Sequence, residues 1–255
     1  MYSVDGENFY KVTRITKIPA QAGDELYVDV IPIELTDEFV DMLRRGVKIF
    51  YLRRLTLFKP MYEKLGINTK SAKNDIKALM ALEAKWFREV SEDFLAMRRL
   101  ISAYRGLLKS HQRLANAMKA LEGLGREIME TAIESVGQLM VSIANIIAEE
   151  AGNRILEYKK VVETLGIDGD NYLSVREALA EVMTCIDPRR NFRKTANFFG
   201  LFRGNPERYN ARARQALQRL SMSLGNTKEA KQEKRILYTV WKTMRTHERL
   251  EAISA

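Results

Sequence analysis

Met97-Arg-Arg-Leu-Ile-Ser-Ala-Tyr-Arg-Gly-Leu-Leu-Lys-Ser-His-Gln-Arg-Leu-Ala-Asn-Ala-Met118 is the stretch on which the fold turns. Its Met97, Ile101, Tyr104, Leu108, His111, Ala115 and Met118 recur in alternating steps of four and three, the spacing that lays one apolar stripe along a single long helix. Gly123-Leu124-Gly125 then predicts a turn, and Ile128, Ala132, Ser135, Leu139, Ile143 and Ile146 supply a second stripe on the next helix. Two such helices close most simply as an antiparallel hairpin. Pairing between two copies through the same stripes meets the same pattern, and predicts a homo-oligomer.

Working outward, Gly166 to Asn171 is the next break, and Ser174 with Glu177 reads as a capping box that opens a helix closed by Pro188. Further helices are predicted at 191–199, 207–222 and 227–250. Toward the N-terminus, Phe9 to Ile18 and Leu26 to Ile33 read as a hairpin or a pair of strands. Thr36 is expected to cap a helix with Asp37 and Glu38 in its first turn, ended by Gly46, and Val47 to Leu52 reads as a strand buried on both faces. The expected fold is mostly α, with a small α/β part over 1–90, a long helical hairpin over 91–165, and a basic helical domain over 166–255.

Composition narrows the function classes. No uninterrupted apolar run approaches the roughly 18 residues a membrane helix needs, the closest being Leu139 to Ala148, and the N-terminus shows no secretory signal. A cytoplasmic protein with no membrane partner is the expectation. A single cysteine, Cys185 in an apolar helical stretch, excludes an intramolecular disulfide and reads as core packing. Two histidines, His111 and His247, do not make a zinc cluster.

Charge is concentrated at the C-terminal end. Residues 189–255 hold 16 Lys plus Arg against 5 Asp plus Glu, while the whole chain is +9, which leaves about −2 for residues 1–188. Arg189, Arg190, Arg193 and Lys194 surround Phe192, and Arg203, Arg208, Arg212, Arg214 and Arg219 follow, with Phe198, Phe199, Phe202 and Tyr209 interleaved. Arginine forks bind phosphates in pairs of hydrogen bonds and aromatic rings stack on unpaired bases. The same residue types also make the solvated face and the core of ordinary amphipathic helices. Because a merely solvated face mixes charge signs, the arginines point to DNA or structured RNA as partner. The helix from Met97 carries a basic side as well, through Arg98, Arg99, Arg105, Lys109, Arg113 and Lys119.

Acidic candidates for a metal site are Asp5, Glu34 and Asp75, with the Asp168 and Asp170 pair read as a surface turn. Glu34 ends a predicted strand and Asp75 opens a predicted helix, a placement compatible with carboxylates converging on Mg2+ for phosphoryl transfer.

Gly46 to Phe50 followed by Lys70-Ser-Ala-Lys-Asn-Asp-Ile-Lys-Ala-Leu79 resembles the end of the RuvC-like domain of the DEDD-type, Piv invertase-like, insertion-sequence transposases. Tyr104 to Leu121 is similar to the family's long arginine-bearing helix, Phe192 to Leu201 to its phenylalanine-rich stretch, and Tyr209-Asn-Ala-Arg-Ala-Arg214 to its closing helices. The resemblance implies a family that recombines DNA with RuvC-like carboxylates, Mg2+ and a serine, guided by structured RNA in some members. Asp75 matches the last aspartate, Glu34 the glutamate at a strand end and Asp5 the first aspartate. Ala72 occupies the position of the third acid, and no serine lies between Gly200 and Tyr209 where the nucleophile belongs. The expectation is therefore a transposase-like protein that has kept nucleic-acid binding and whose catalysis is impaired. An active magnesium-dependent recombinase and a plasmid- or virus-type helical oligomerisation protein are the alternatives.

Overall fold

A computed structural model of the chain describes residues 1–169, 173–202, 209–225 and 230–254, without the side chains of 173, 174, 230 and 246–254. The protein is mostly α-helical, with a small α/β part at the N-terminus. Contacts divide it into two compact units, Met1–Ala96 and Met97–Ala255.

In the first unit, strand β1 (Glu25–Val28) is followed by helix α1 (Thr36–Arg44) and strand β2 (Lys48–Leu52), which lies parallel to β1 with Leu26 opposite Ile49. A third strand, β3 (Phe87–Glu89), adds antiparallel to β2, with Tyr51 opposite Arg88. The expected strand over Phe9 to Ile18 does not form. Tyr10 makes an isolated bridge to Tyr2 and Ile15–Lys17 is a single 3-10 turn, so β1 finds its partner across α1 rather than in a hairpin. Nor is β2 buried on both faces: Ile49 and Leu52 are buried, Lys48 is exposed, and Phe50 and Tyr51 are half-buried. Thr36 is not the cap of α1 but its first residue, and its hydroxyl donates to the Ile33 carbonyl at 2.6 Å. Gly46 ends the helix at φ +83°, where a Cβ would meet the Ala22 Cβ at 2.9 Å. Helices α2 (Phe58–Lys64) and α3 (Ala72–Met80) pack on each other, and Ser71 caps α3 by accepting from the Asn74 N–H.

The long helix α4 (Glu92–Met118) starts at Ser91, whose hydroxyl accepts from the Phe94 N–H at 3.1 Å. Helix α5 (Leu124–Arg154) returns after the Gly123 turn, and α6 (Tyr158–Leu165), α7 (Leu173–Cys185), α8 (Phe192–Phe198), α9 (Ala211–Ser223) and α10 (Ala230–Ser254) complete the unit. One core includes Met97, Ile101 and Tyr104 from the start of α4 and Ala144, Ile147 and Ala151 from the end of α5. The same core continues through Leu179, Val182 and Met183 of α7, Leu217 and Leu220 of α9, and Leu237 and Val240 of α10, with Cys185 half-buried at its edge.

No residue between Tyr104 and Ala144 is fully buried. At 1.5 Å per helical residue, α4 runs on about 20 Å past Tyr104 and α5 begins about 30 Å before Ala144. The α4 stripe turns inward as the spacing predicts, with Leu108, His111, Ala115 and Met118 half-buried. The α5 stripe does so only at Ala132 and Ile143, which are half-buried, the latter against the core. Ile128, Ser135, Leu139 and Ile146 are exposed, and the inward face is Met129, Ile133, Val136, Met140, Ala144, Ile147 and Ala151. This helix is apolar on two sides, so spacing alone selected the wrong one. It also corrects the search for a membrane-length segment: by length and composition α5 is apolar enough to cross a bilayer, with a window of mean hydropathy 1.4 that is 11% buried. Thr, Ser, Gly and Gln interrupt that window without making it polar.

Candidate nucleic-acid interface

Two asparagines start the helices of the basic region. Asn191 caps α8 by accepting from the Lys194 N–H at 2.9 Å, and Asn210 caps α9 by accepting from the Ala213 N–H at 3.0 Å. The start of α9 is tied to the end of α8 by the Asn210 N–H, which donates to the Phe198 carbonyl at 2.9 Å. Between them Gly200, at φ +71°, lies so close under the Tyr209 ring that a Cβ would come within 2.9 Å of it. The cations of α8 and α9 are thereby fixed on rigid, adjoining helices.

Helix α10 packs on α8 through aromatic rings. Phe192 meets Tyr238 edge-on with centroids 5.0 Å apart, and lies 5.5 Å from Trp241. The Trp241 indole N–H donates to the Arg190 carbonyl at 2.9 Å, and the Arg245 guanidinium lies 5.0 Å from the Trp241 ring centre.

Buried ion pairs sort the arginines into two groups. Arg219 donates from Nη1 and Nη2 to the two oxygens of Glu177, at 2.9 and 3.0 Å, and from Nη2 to Glu181 at 2.5 Å. Arg105 donates to Glu181 and, at 2.9 Å, to the Arg212 carbonyl. Arg214 lies 2.5 Å from Glu233, which is 1% exposed. Burial raises the Glu177 carboxyl above the ordinary range, against the pull of Arg219. These contacts correct three sequence expectations. Arg214 and Arg219 turn into the bundle instead of toward a phosphate, Arg105 does the same on α4, and Glu177 serves the core instead of a capping box with Ser174, whose side chain is outside the described residues.

What remains outward is strongly one-signed. Arg193, Lys194, Arg212, Lys231, Arg235 and Lys242 are exposed. In α8, α9 and the described side chains of α10 the sole acid is Glu233, and it is buried against Arg214. Arg189 is exposed and Arg190 half-buried, while Arg203 and Arg208 lie outside the described residues. The expected aromatics divide as well: Phe199 is fully buried and Phe198 packs on the core, whereas Phe202 and Tyr209 are exposed. Sequence reasoning missed Tyr238, Lys231, Arg235 and Lys242, although the spacing of 235, 238 and 242 already places them on one helical face.

The proposed acids sit in three different local settings. Asp5 is exposed in a tight turn, where the backbone N–H and side-chain amide of Asn8 and the backbone N–H of Glu7 hold its carboxyl well below the usual range. Glu34 sits exposed in the 3-10 turn Ile33–Leu35, not at a strand end, because β1 stops at Val28. Asp75 lies in the first turn of α3 and accepts the Tyr62 hydroxyl, whose pKa burial and this bond push up to about 12. Among the described residues no group of three or more His, Cys, Asp or Glu could hold a metal ion. Ser221 is buried in α9, away from any role as an open nucleophile. An apolar cleft of about 840 Å³ in the first unit is lined by Asp24 and Asp29 but by none of Asp5, Glu34 and Asp75.

No protein-family model matches the chain, and no curated protein matches it.

Proposed function

We infer that the chain is a nucleic-acid-binding protein of transposase-like character, whose C-terminal helices grip a phosphate backbone while the carboxylate chemistry of that family is not carried out. The observation that carries this reading is the outer face of α8, α9 and the described side chains of α10, on which every exposed charge is positive and the one acid, Glu233, is buried against Arg214. A face of this kind repels itself and draws polyanions, with each neutralised phosphate releasing counterions. The relation to transposases rests on the sequence resemblance, and structured RNA is as chemically suitable a partner as DNA.

The test is a titration of the protein against duplex DNA, single-stranded DNA and structured RNA at several salt concentrations, with and without magnesium. Tight binding with a steep salt dependence is expected, and Arg193→Glu with Arg212→Glu should weaken it and lower the slope by about one unit per lost contact. Unchanged affinity in that double variant would refute the interface.

The exposed apolar side of α5 favours a second, compatible reading. Leu124, Ile128, Leu139, Val141 and Ile146 are between 43% and 71% exposed. A second copy of the chain is the occupant that fits best, because the outer arm carries Glu127, Glu130 and Glu134 on α5 and Lys109, Arg113 and Lys119 on α4. Two arms side by side would cover apolar surface and bring opposite charges together.

A further inference from the structure

The corner where α10 crosses α8 holds an aromatic group that the core does not use. Tyr238 is 44% exposed, yet its ring is held from two sides, edge-on by Phe192 at 5.0 Å and by Trp241 at 5.9 Å with the planes 33° apart. Trp241 is in turn pinned by its hydrogen bond to the Arg190 carbonyl. Arg235 lies one turn before Tyr238 and Lys242 one turn after it, both exposed, and Arg193 is exposed beside Phe192. Across 189–202 and 231–245 the only acid is Glu233, which is buried.

An exposed phenol needs no such support merely to be solvated. A rigid ring with open surface, flanked by cations one helical turn to either side, meets the two demands of an unpaired nucleotide: a flat apolar surface for the base, and positive charge for the phosphates before and after it. Duplex DNA makes no use of such a ring, since its bases are already stacked. We propose that Tyr238 is a stacking platform for an unpaired base, with Arg235, Lys242 and Arg193 holding the adjoining phosphates, so that the chain prefers single-stranded over duplex nucleic acid. This rests on the reading of the chain as a nucleic-acid-binding protein and names the kind of strand it takes.

The experiment uses the full chain with Trp86→Phe, which leaves Trp241 as the lone tryptophan reporter beside Tyr238. Oligothymidylate and oligouridylate of about 12 nucleotides, within the usual footprint of such sites, are compared with a duplex of equal length. Both single strands should quench Trp241 fluorescence. Tyr238→Ala should weaken single-strand binding about tenfold, the scale of one lost base stack, while leaving duplex affinity and the salt slope unchanged. Tyr238→Phe keeps the ring and should restore binding, which a merely packing role for the hydroxyl would not predict. Single-strand affinity unaltered in Tyr238→Ala, or an equal loss on single strand and duplex, overturns the platform. Absence of binding to all three ligands by the parent chain would instead overturn the underlying reading, an outcome separate from any effect of the variant.

Discussion

Arg219 stands where two glutamates, one turn apart on α7, both need a cation. Glu177 and Glu181 are 0% and 3% exposed, and Arg219 reaches both. Truncation to Met would leave at least one carboxylate buried without its partner, and removing half of such a pair costs about 3–5 kcal/mol. Urea unfolding of Arg219→Met should show a loss of that order, far beyond the effect of the same change at exposed Arg212. The pH dependence follows from the sign of the shift at Glu177. Its folded-state value lies above the ordinary 4.5 because burial disfavours the anion. The stability linked to this group is therefore fully present below about pH 4.5 and is lost as pH rises through the raised value. Glu177→Gln removes that titration, so its urea midpoint should fall less than the parent's as pH is raised from 4.5. An equal fall in both would assign the dependence to other groups.

At the scale of elements, α5 makes the sharpest prediction. A helix apolar on two sides buries both or exposes a surface that associates. Sedimentation should find a concentration-dependent oligomer, and Ile128→Glu with Leu139→Glu should convert it to monomer without lowering the melting temperature, since both positions are already exposed. A chain that stays monomeric at every concentration, or that partitions onto phospholipid vesicles, would remove the second copy as occupant. Charging Ile101 would be uninformative, because that residue is part of the core.

The same helices show what was legible in the sequence. The α4 stripe could be read because its other faces are polar. The α5 stripe could not, since two apolar sides compete and the true one is marked by small residues, Ala144 and Ala151, that carry little hydropathic weight. β3 was invisible for a related reason: Phe-Arg-Glu is three residues long, and only an existing β2 edge makes it a strand. In the candidate interface, residue type revealed the cations but not their direction. Arg219 and Arg193 look alike until the fold brings Glu177 and Glu181, 42 and 38 positions away in sequence, to the first of them. Tyr238 went unnoticed because its significance comes from Phe192 on another helix.

For the whole molecule, the division of charge is a division of roles. Residues 1–188 are nearly neutral as a set, so the +9 of the chain is in effect a property of the segment that carries its last three helices. If the six cations exposed among the described residues of α8 to α10 all meet phosphates on a duplex, the logarithmic salt slope approaches about −5, by the usual 0.9 per contact. The outer arm of the hairpin, with its own Lys109, Arg113 and Lys119, sits apart from that count and can be charged or neutralised independently.

The ion pairs that join α4, α7, α9 and α10 also constrain how this sequence is free to drift over generations. Loss of Arg219 strands Glu177 and leaves Glu181 with Arg105 alone; loss of both glutamates strands Arg219. Tolerated change at these positions must therefore arrive in concert, and the same holds for Arg214 with Glu233. Descendants of this chain should keep these residues as a block or exchange the block for apolar side chains, while on the outer face lysine and arginine can replace each other one position at a time.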